Sequence, residues 1–552
     1  MTINQEFKKY KLQKSTQTVK ELCNYNKFKH QPQQLFLREY FHSKYVKNGL
    51  LVFHKIGAGK TCSAISVAES YKKKKNIIVI LPASLIDNFR NELRSECANN
   101  EYITKLERLE LKELLPRNKR YKEIIKNSNK KINKYYKIYS YHKYIEMVDN
   151  NKIKLRNTLL IIDEIQNMVS RDGIFYKYLK KTIDHSDNKT KILLLSATPM
   201  FDKPEEIALT LNLLKLNIPI GMEFNNLFLT KSNNLTIMKN KELFKKYIKN
   251  TISYYRGANP KTFPKQNFKL VKCNMEDFQY KSYLASLSEN GDYVKGGFRQ
   301  PDILDLPTNF MIGPRFLSNI AFPNKSVSIN GYNSLKGNKL HYKNIKDYSK
   351  KFYKIFNNIK KSSGPCFVYS NFKEEGGIKS FQKFLEYNGF TNYKVYGPGK
   401  NRFAIWNGDE RNSVREEIKC MFNKPKNYNG SQIKIILGTP SIKEGVSLLR
   451  VEQVHVMEPY WNMSRLKQIF GRAIRFCSHK DLKASRRFVN VYLYMATKRG
   501  DFTTDEYIWE MAKQKQKIID EFELTLKETA IDCKLFYNQN VYKGDKPLKC
   551  KI

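Results

Sequence analysis

The chain has 552 residues, too many for one ordinary core, so two or three domains are expected. Hydrophobic residues make up 41%, which excludes a disordered chain. Against 52 Asp and Glu stand 100 Lys and Arg, a net charge of +48 that attracts polyanions and above all nucleic acid.

Part of the Lys excess travels with Asn, Ile and Tyr, residues of A/T-rich codons, so base composition contributes to it. The first fourteen residues are polar and basic and do not read as a signal peptide. Residues 50–53, Leu-Leu-Val-Phe, read as a buried strand feeding a Gly-rich turn. A second strand is expected at 77–81, ended by Pro82, a third at 158–162 and a fourth at 191–195. All four are continuously apolar, as buried parallel strands are. Basic amphipathic segments lie between them, and the Lys-rich stretches 72–75 and 119–137 read as solvated helix faces. Residues 220–350 have less periodicity and more Asn, Gly and Pro. A second set of strands follows Pro365, at 366–369, 433–437, 451–457 and 488–494, and 505–537 is helical by pattern. This is an α/β chain without solenoid repeats. The longest apolar runs are far too short to span a bilayer, so the expectation is a soluble, cytoplasmic protein. Nine cysteines, at 23, 62, 97, 273, 366, 420, 477, 533 and 550, show no CxxC or zinc spacing and are expected as reduced thiols.

His54-Lys55-Ile56-Gly57-Ala58-Gly59-Lys60-Thr61 follows the first strand and opens a helix. Backbone N–H groups of such a loop cradle phosphates, with Lys60 reaching the β/γ-phosphates and Thr61 a Mg²⁺ ion. The general pattern asks for Gly where His54 stands. A Gly-rich turn without a ligand is the plainer alternative. Asp163-Glu164 follows the third strand, at the edge where α/β sheets bind ligands. Asp163 would hold Mg²⁺ through water and Glu164 would deprotonate the attacking water; two acids capping a helix is the alternative. Ser196-Ala197-Thr198-Pro199 reads as a bridge from the metal site or as a simple turn. In Gln468-Ile469-Phe470-Gly471-Arg472-Ala473-Ile474-Arg475 the two arginines are three apart, one face of a helix, and suit a transferring γ-phosphate. A basic helix face is the alternative.

In this order the motifs resemble those of superfamily-two helicases. Residues 57–61 look like motif I, 81–85 like motif Ia, Asp163-Glu164-Ile165-Gln166 like motif II and Ser196-Ala197-Thr198 like motif III. Residues 367–377 are similar to motif IV, 438–445 to motif V and 468–475 to motif VI. A narrower resemblance, to helicases of large cytoplasmic DNA viruses and of yeast linear killer plasmids, rests on further stretches. They are Glu458-Pro459-Tyr460-Trp461-Asn462, Ser478-His479, Tyr255-Arg256-Gly257, Phe263-Pro264, Leu526-Lys527-Glu528 and Ala530-Ile531-Asp532-Cys533. That group includes the poxvirus early transcription factor small subunit and nucleoside triphosphate phosphohydrolase I. Short length and A/T bias point to the plasmid branch.

The resemblance implies two tandem RecA-like lobes with parallel sheets, a helical insert and a C-terminal helical segment. The expected bounds are a basic N-terminal segment 1–27, lobe one 28–220, connector and insert 221–350, lobe two 351–504 and a helical end 505–552. It implies ATP and Mg²⁺ in the cleft between lobes. His54 to Thr61, with Gly445 and Gln468, would bind the nucleotide. Lys60, Asp163, Glu164, Gln166, Arg472 and Arg475 would be catalytic, and Thr61 and Asp163 the metal ligands. Gln34 is the expected reader of adenine, with Gln31 as runner-up. Viral relatives usually carry His where Gln166 stands; Gln both donates and accepts hydrogen bonds without titrating. The implied function is an ATP-dependent helicase or translocase, on DNA before RNA, in cytoplasmic transcription or replication beside a virus-like or plasmid-encoded RNA polymerase. A transcription ATPase that does not unwind duplex and a non-enzymatic DNA-binding protein are the alternatives.

Overall fold

The computed structural model describes residues 2–14, 16–24, 28–55, 57–114, 118–170, 173–232, 235–289, 293–294, 297–298, 310–443 and 446–550. Two compact units divide the chain. The first is Met1–Pro260 with Lys517–Ile552, and the second is Lys261–Gln516. Each holds one parallel sheet with helices on its faces, the tandem RecA-like α/β arrangement that the motif order implies.

In the first unit the strands are β1 (Gly49–His54), β2 (Asn76–Leu81), β3 (Tyr136–Ser140), β4 (Thr158–Ile162), β5 (Lys191–Ser196) and β6 (Ile252–Tyr255). Their order across the sheet is β3-β2-β4-β5-β1-β6, every pair parallel. The four anticipated strands are the central ones, buried along their length. The two that pattern reading missed, β3 and β6, are the edges. An edge strand has one neighbour and tolerates polar side chains, so Tyr-Lys-Ile-Tyr-Ser carries no continuous apolar signal. Helix α1 (Pro32–His42) and helix α2 (Lys60–Tyr71) pack on this sheet through Phe36, Leu37, Ile65 and Val67, against Val52, Val79 and Leu195. Ile531, Leu535 and Phe536, from the far end of the chain, complete the same core.

The second unit holds β7 (Lys265–Asn274), β8 (Cys366–Tyr369), β9 (Thr391–Asn392), β10 (Arg402–Trp406), β11 (Ile435–Gly438), β12 (Gln453–Val456) and β13 (Phe488–Thr497). Their order is β9-β10-β11-β8-β12-β13-β7, again all parallel. Alternate residues serve opposite faces: Val368 and Leu437 enter one core with Phe352 and Ile355, while Phe367 and Ile436 enter another with Val454 and Val491. Residues 221–260 therefore belong to the first unit and 261–350 to the second.

The cysteines correct one expectation. Cys62 and Cys97 form a disulfide, as do Cys533 and Cys550, each pair with Cα atoms 5.6 Å apart. Pairs separated by 35 and 17 residues are brought together by folding, which spacing alone cannot show. Cys273, Cys366 and Cys420 are free thiols. Among the described residues no helix is long and apolar enough to cross a membrane.

Candidate nucleotide site

Strand β1 ends at His54 and α2 begins at Lys60, so the Gly-rich turn is the whole connection. Ile56 lies outside the described residues. Gly57 and Gly59 take φ of 84° and 71°, the left-handed region that a side chain disfavours. At Gly59 space is also short: a Cβ there would stand 2.7 Å from Nε2 of Gln34. Gln34 is buried on α1, and its Nε2 donates to the Gly59 carbonyl at 3.4 Å. Its Oε1 accepts from the Gln31 backbone N–H at 2.9 Å. Gln31 is exposed at the helix N-cap, so of the two glutamines only Gln34 meets the loop. Thr61 sits half-buried in the first turn of α2.

Sheet order explains why distant motifs meet. Strands β4, β5 and β1 are neighbours, and their C-terminal ends carry Asp163-Glu164, Ser196 and the Gly-rich turn. Lys60 Nζ lies 2.9 Å from Glu164 Oε1 and 3.4 Å from Asp163 Oδ1. Burial works to lower the Lys60 pKa, but the Glu164 and Asp163 charges outweigh it and hold the ammonium above the usual lysine range. Burial raises the Asp163 pKa, with Lys60 pulling it down and Glu164 pushing it up. Two carboxylates facing one ammonium leave a net negative pocket beside the phosphate loop, which suits a divalent cation.

Glu164 has φ of 50°, unusual for a side-chain-bearing residue, and its N–H donates to Asp163 Oδ1 at 2.9 Å. The Tyr141 hydroxyl braces this turn, 2.7 Å from the Asp163 carbonyl and 2.9 Å from that of Glu164. Sequence reading missed Tyr141. Its signal would have been the polar end of an edge strand that was itself missed.

Gln166 uses both ends of its amide. Nε2 donates to Glu164 Oε2 at 2.6 Å, and Oε1 accepts from Ser196 Oγ at 2.6 Å. Ser196 Oγ accepts in turn from the Thr198 N–H at 3.0 Å. Thr198 Oγ1 is buried without a hydrogen-bond partner among the described residues. An unbroken polar chain thus runs Lys60, Glu164, Gln166, Ser196, Thr198. Gln166→Ala takes one hydrogen bond from Glu164 and one from Ser196. At about 1–1.5 kcal/mol for that loss, ATP turnover is expected to fall about tenfold with the fold retained. Steady-state ATPase rates of the two proteins check this; an unchanged rate would make the Gln166 bridge incidental.

In the second unit helix α3 (Met463–Phe470) carries Gln468 but ends before either arginine. This corrects the expectation that Arg472 and Arg475 share a helix face: Arg472 lies in the turn that follows and Arg475 in irregular backbone beyond it. They still converge, because both reach one acceptor. Arg472 Nη1 is 3.4 Å and Arg475 Nη2 3.0 Å from the Val446 carbonyl, and Arg472 Nε donates to the Gln468 carbonyl at 3.1 Å. Gly445, next to Val446, lies outside the described residues. Glu458 ties the stretch after β12 to the end of β8, accepting from Ser370 Oγ at 3.0 Å and Asn371 Nδ2 at 3.0 Å.

Comparison with known proteins identifies the family. The SNF2-related domain family matches residues 25–356, and the helicase conserved C-terminal domain family matches residues 349–477. A protein of Acanthamoeba polyphaga mimivirus, whose name reads ATP-dependent RNA helicase, is 47% identical over the whole of this chain and 97% of its own length. The killer plasmid pGKL-2 helicase of Kluyveromyces lactis is 28% identical, over 88% of this chain and 67% of its own. A termination factor NPH-I homolog of African swine fever virus is 27% identical, over 88% of this chain and 76% of its own. The higher identity lies with the mimivirus protein rather than the plasmid one.

Proposed function

The chain belongs to the ATP-dependent helicases built from an SNF2-related domain and a helicase conserved C-terminal domain, of the large DNA virus and killer plasmid group, and from that premise we propose how its residues divide the work. The phosphate loop, His54 to Thr61, cradles the ATP phosphates, with Lys60 on the β/γ-phosphates and Gln34 on the adenine. Thr61 and Asp163 would hold Mg²⁺, and Glu164 takes the proton of the attacking water. Mg²⁺ would withdraw charge from the phosphate oxygens. Arg472 and Arg475 supply positive charge to the transferring γ-phosphate, with Gly445 and Gln468 as further nucleotide contacts. The observation that carries the reading is the polar chain from Lys60 to Ser196, which puts the phosphate loop, the two acids and the Ser-Ala-Thr turn in one hydrogen-bonded unit.

The proposed work is translocation along DNA, driven by ATP hydrolysis, in transcription or replication. The name of the termination factor among the relatives favours a transcriptional setting, and a virus-like or plasmid-encoded RNA polymerase is the partner proposed with it. The name of the 47% identical relative favours a second reading, RNA as the track. A cytoplasmic setting belongs to the same proposal. The Cys62–Cys97 and Cys533–Cys550 bonds stand against it, since a reducing compartment keeps thiols free.

The test is ATPase activity with no polymer, single-stranded DNA, duplex DNA and single-stranded RNA. Polymer is expected to accelerate hydrolysis, and DNA more than RNA. Binding is expected to weaken steeply with salt, because phosphate contacts dominate an interface of a chain charged +48. Steep salt dependence with equal ATPase rates in all four conditions would leave a basic ATPase that is not a motor. Greater stimulation by RNA would select the second reading.

A further inference from the structure

The end of the chain lies under the phosphate loop. Helix α4 (Thr504–Thr529) enters the first unit at Lys517, and the backbone after it follows the outer edge of β6, where the Ile531 N–H donates to the Ile252 carbonyl at 2.9 Å. Of two carboxylates of this segment, Glu523 reaches Lys55 directly and Asp532 reaches His54 through Ser253. Glu523 Oε2 is 3.2 Å from Lys55 Nζ and 3.1 Å from Lys527 Nζ. Asp532 is wholly buried; its Oδ1 accepts from the Tyr254 N–H at 2.8 Å, and its Oδ2 accepts from the Ser253 hydroxyl. Ser253 Oγ in turn lies 2.9 Å from Nε2 of His54, also wholly buried.

Burial raises the Asp532 pKa to about 7 against the pull of the Ser253 hydroxyl and the Tyr254 N–H, and in its ionised form the chemistry of that row is determinate. A serine hydroxyl has one proton, and a carboxylate can only accept. Once Ser253 donates to Asp532, its oxygen can only accept from His54. With Asp532 ionised, His54 therefore carries its proton on Nε2, and Nδ1 is left as a buried acceptor with no partner among the described residues. Burial, with the Lys60 charge second, pushes the His54 pKa down to about 3, so the ring is neutral. The residue that departs from Gly in the loop pattern is thus held in one orientation, and by the ionised carboxylate in one tautomer, from far along the chain.

We propose that Asp532 and Glu523 are positioning residues of the nucleotide site: Asp532 sets the base of the phosphate loop through Ser253 and His54, and Glu523 holds Lys55. The inference rests on the phosphate-loop reading above and extends the site to the C-terminal segment. Neither carboxylate belongs to the loop; Glu523 acts on it through the Lys55 ammonium and Asp532 through the His54 ring. Asp532→Asn is nearly isosteric, but its Nδ2 is a donor. Ser253 must then accept from residue 532 and donate to Nε2, which moves the His54 proton to Nδ1. At pH 8, where Asp532 is ionised and where the kinetics are measured, volume is kept while the tautomer changes.

The experiment is ATP steady-state kinetics on the full chain for Asp532→Asn, Ser253→Ala, Glu523→Gln and the Asp532→Asn/Ser253→Ala double variant, each with a melting curve. KM for ATP is expected to rise about tenfold in Asp532→Asn and about threefold in Glu523→Gln, with kcat changed less than KM. Because Asp532 acts through Ser253, the double variant is expected to match Ser253→Ala rather than multiply the two effects. A merely structural role would lower the folded, active fraction and so kcat, leaving KM in place, and that result overturns the proposal. If Asp532→Asn does not fold, Ser253→Ala and Glu523→Gln decide by the same split. Lys60→Ala separates the two levels. Full turnover in Lys60→Ala sinks the loop reading itself. Lost turnover there, with KM unmoved in the other variants, sinks this inference alone.

Discussion

Lys60→Ala is expected to reduce ATP turnover by about 10²–10³-fold or more, because on the proposed reading it removes the side-chain charge directed at the phosphates. The loop backbone, with its positive-φ glycines and its bond from Gln34, does not depend on that side chain. Fold loss is therefore not the expected cause. Stability responds in a definite direction. Lys60 is the counter-charge of two adjacent carboxylates, one of them buried. Without it the Asp163 pKa, already raised by burial, rises further. A carboxyl whose folded pKa exceeds its unfolded value contributes stability that is lost as pH climbs through that window. The variant is thus expected to lose more melting temperature at pH 8 than at pH 5. Turnover near wild type would remove this loop as the active nucleotide site. A melting loss that shrinks with rising pH would show that the Lys60–carboxylate contact has been read with the wrong sign.

Arg475→Ala is expected to lower kcat about 10³-fold while ATP affinity changes little, since its charge matters mainly as the γ-phosphate transfers. Local structure supports choosing Arg475 over Arg472. Val446 keeps the Arg472 donor when Arg475 is cut back, whereas Arg472 also carries the bond to the Gln468 carbonyl. The measurement pairs kcat with equilibrium binding of a non-hydrolysable nucleotide. Equal losses in both would make Arg475 a ground-state binder.

Motif residues and central strands were legible because each follows from local chemistry. A run such as Leu159-Leu160-Ile161-Ile162 has no stable place except a buried parallel strand, and a Gly-rich turn before a helix leaves its N–H groups free for phosphate. Edge strands were not legible. Lys265–Asn274 alternates polar and apolar residues in a stretch that reads as connector, and only its pairing with Phe488–Thr497 makes it a strand. The helical placement of Arg472 and Arg475 failed for a related reason. Three-residue spacing is necessary for a shared helix face but does not make the helix continue past Phe470.

By itself the sequence determined the α/β class, the motif order and the residue types at the proposed nucleotide site, since these depend on neighbours within a few positions. Tertiary structure alone decided which groups touch. Strand order set the two acids, Ser196 and the Gly-rich turn side by side, and so let Gln166 bridge Glu164 to Ser196. It also brought His54 to Ser253 across 199 residues, and Ser253 to Asp532 across 279. Contacts at such separations are set by how buried faces pack, and no spacing rule along the chain encodes them.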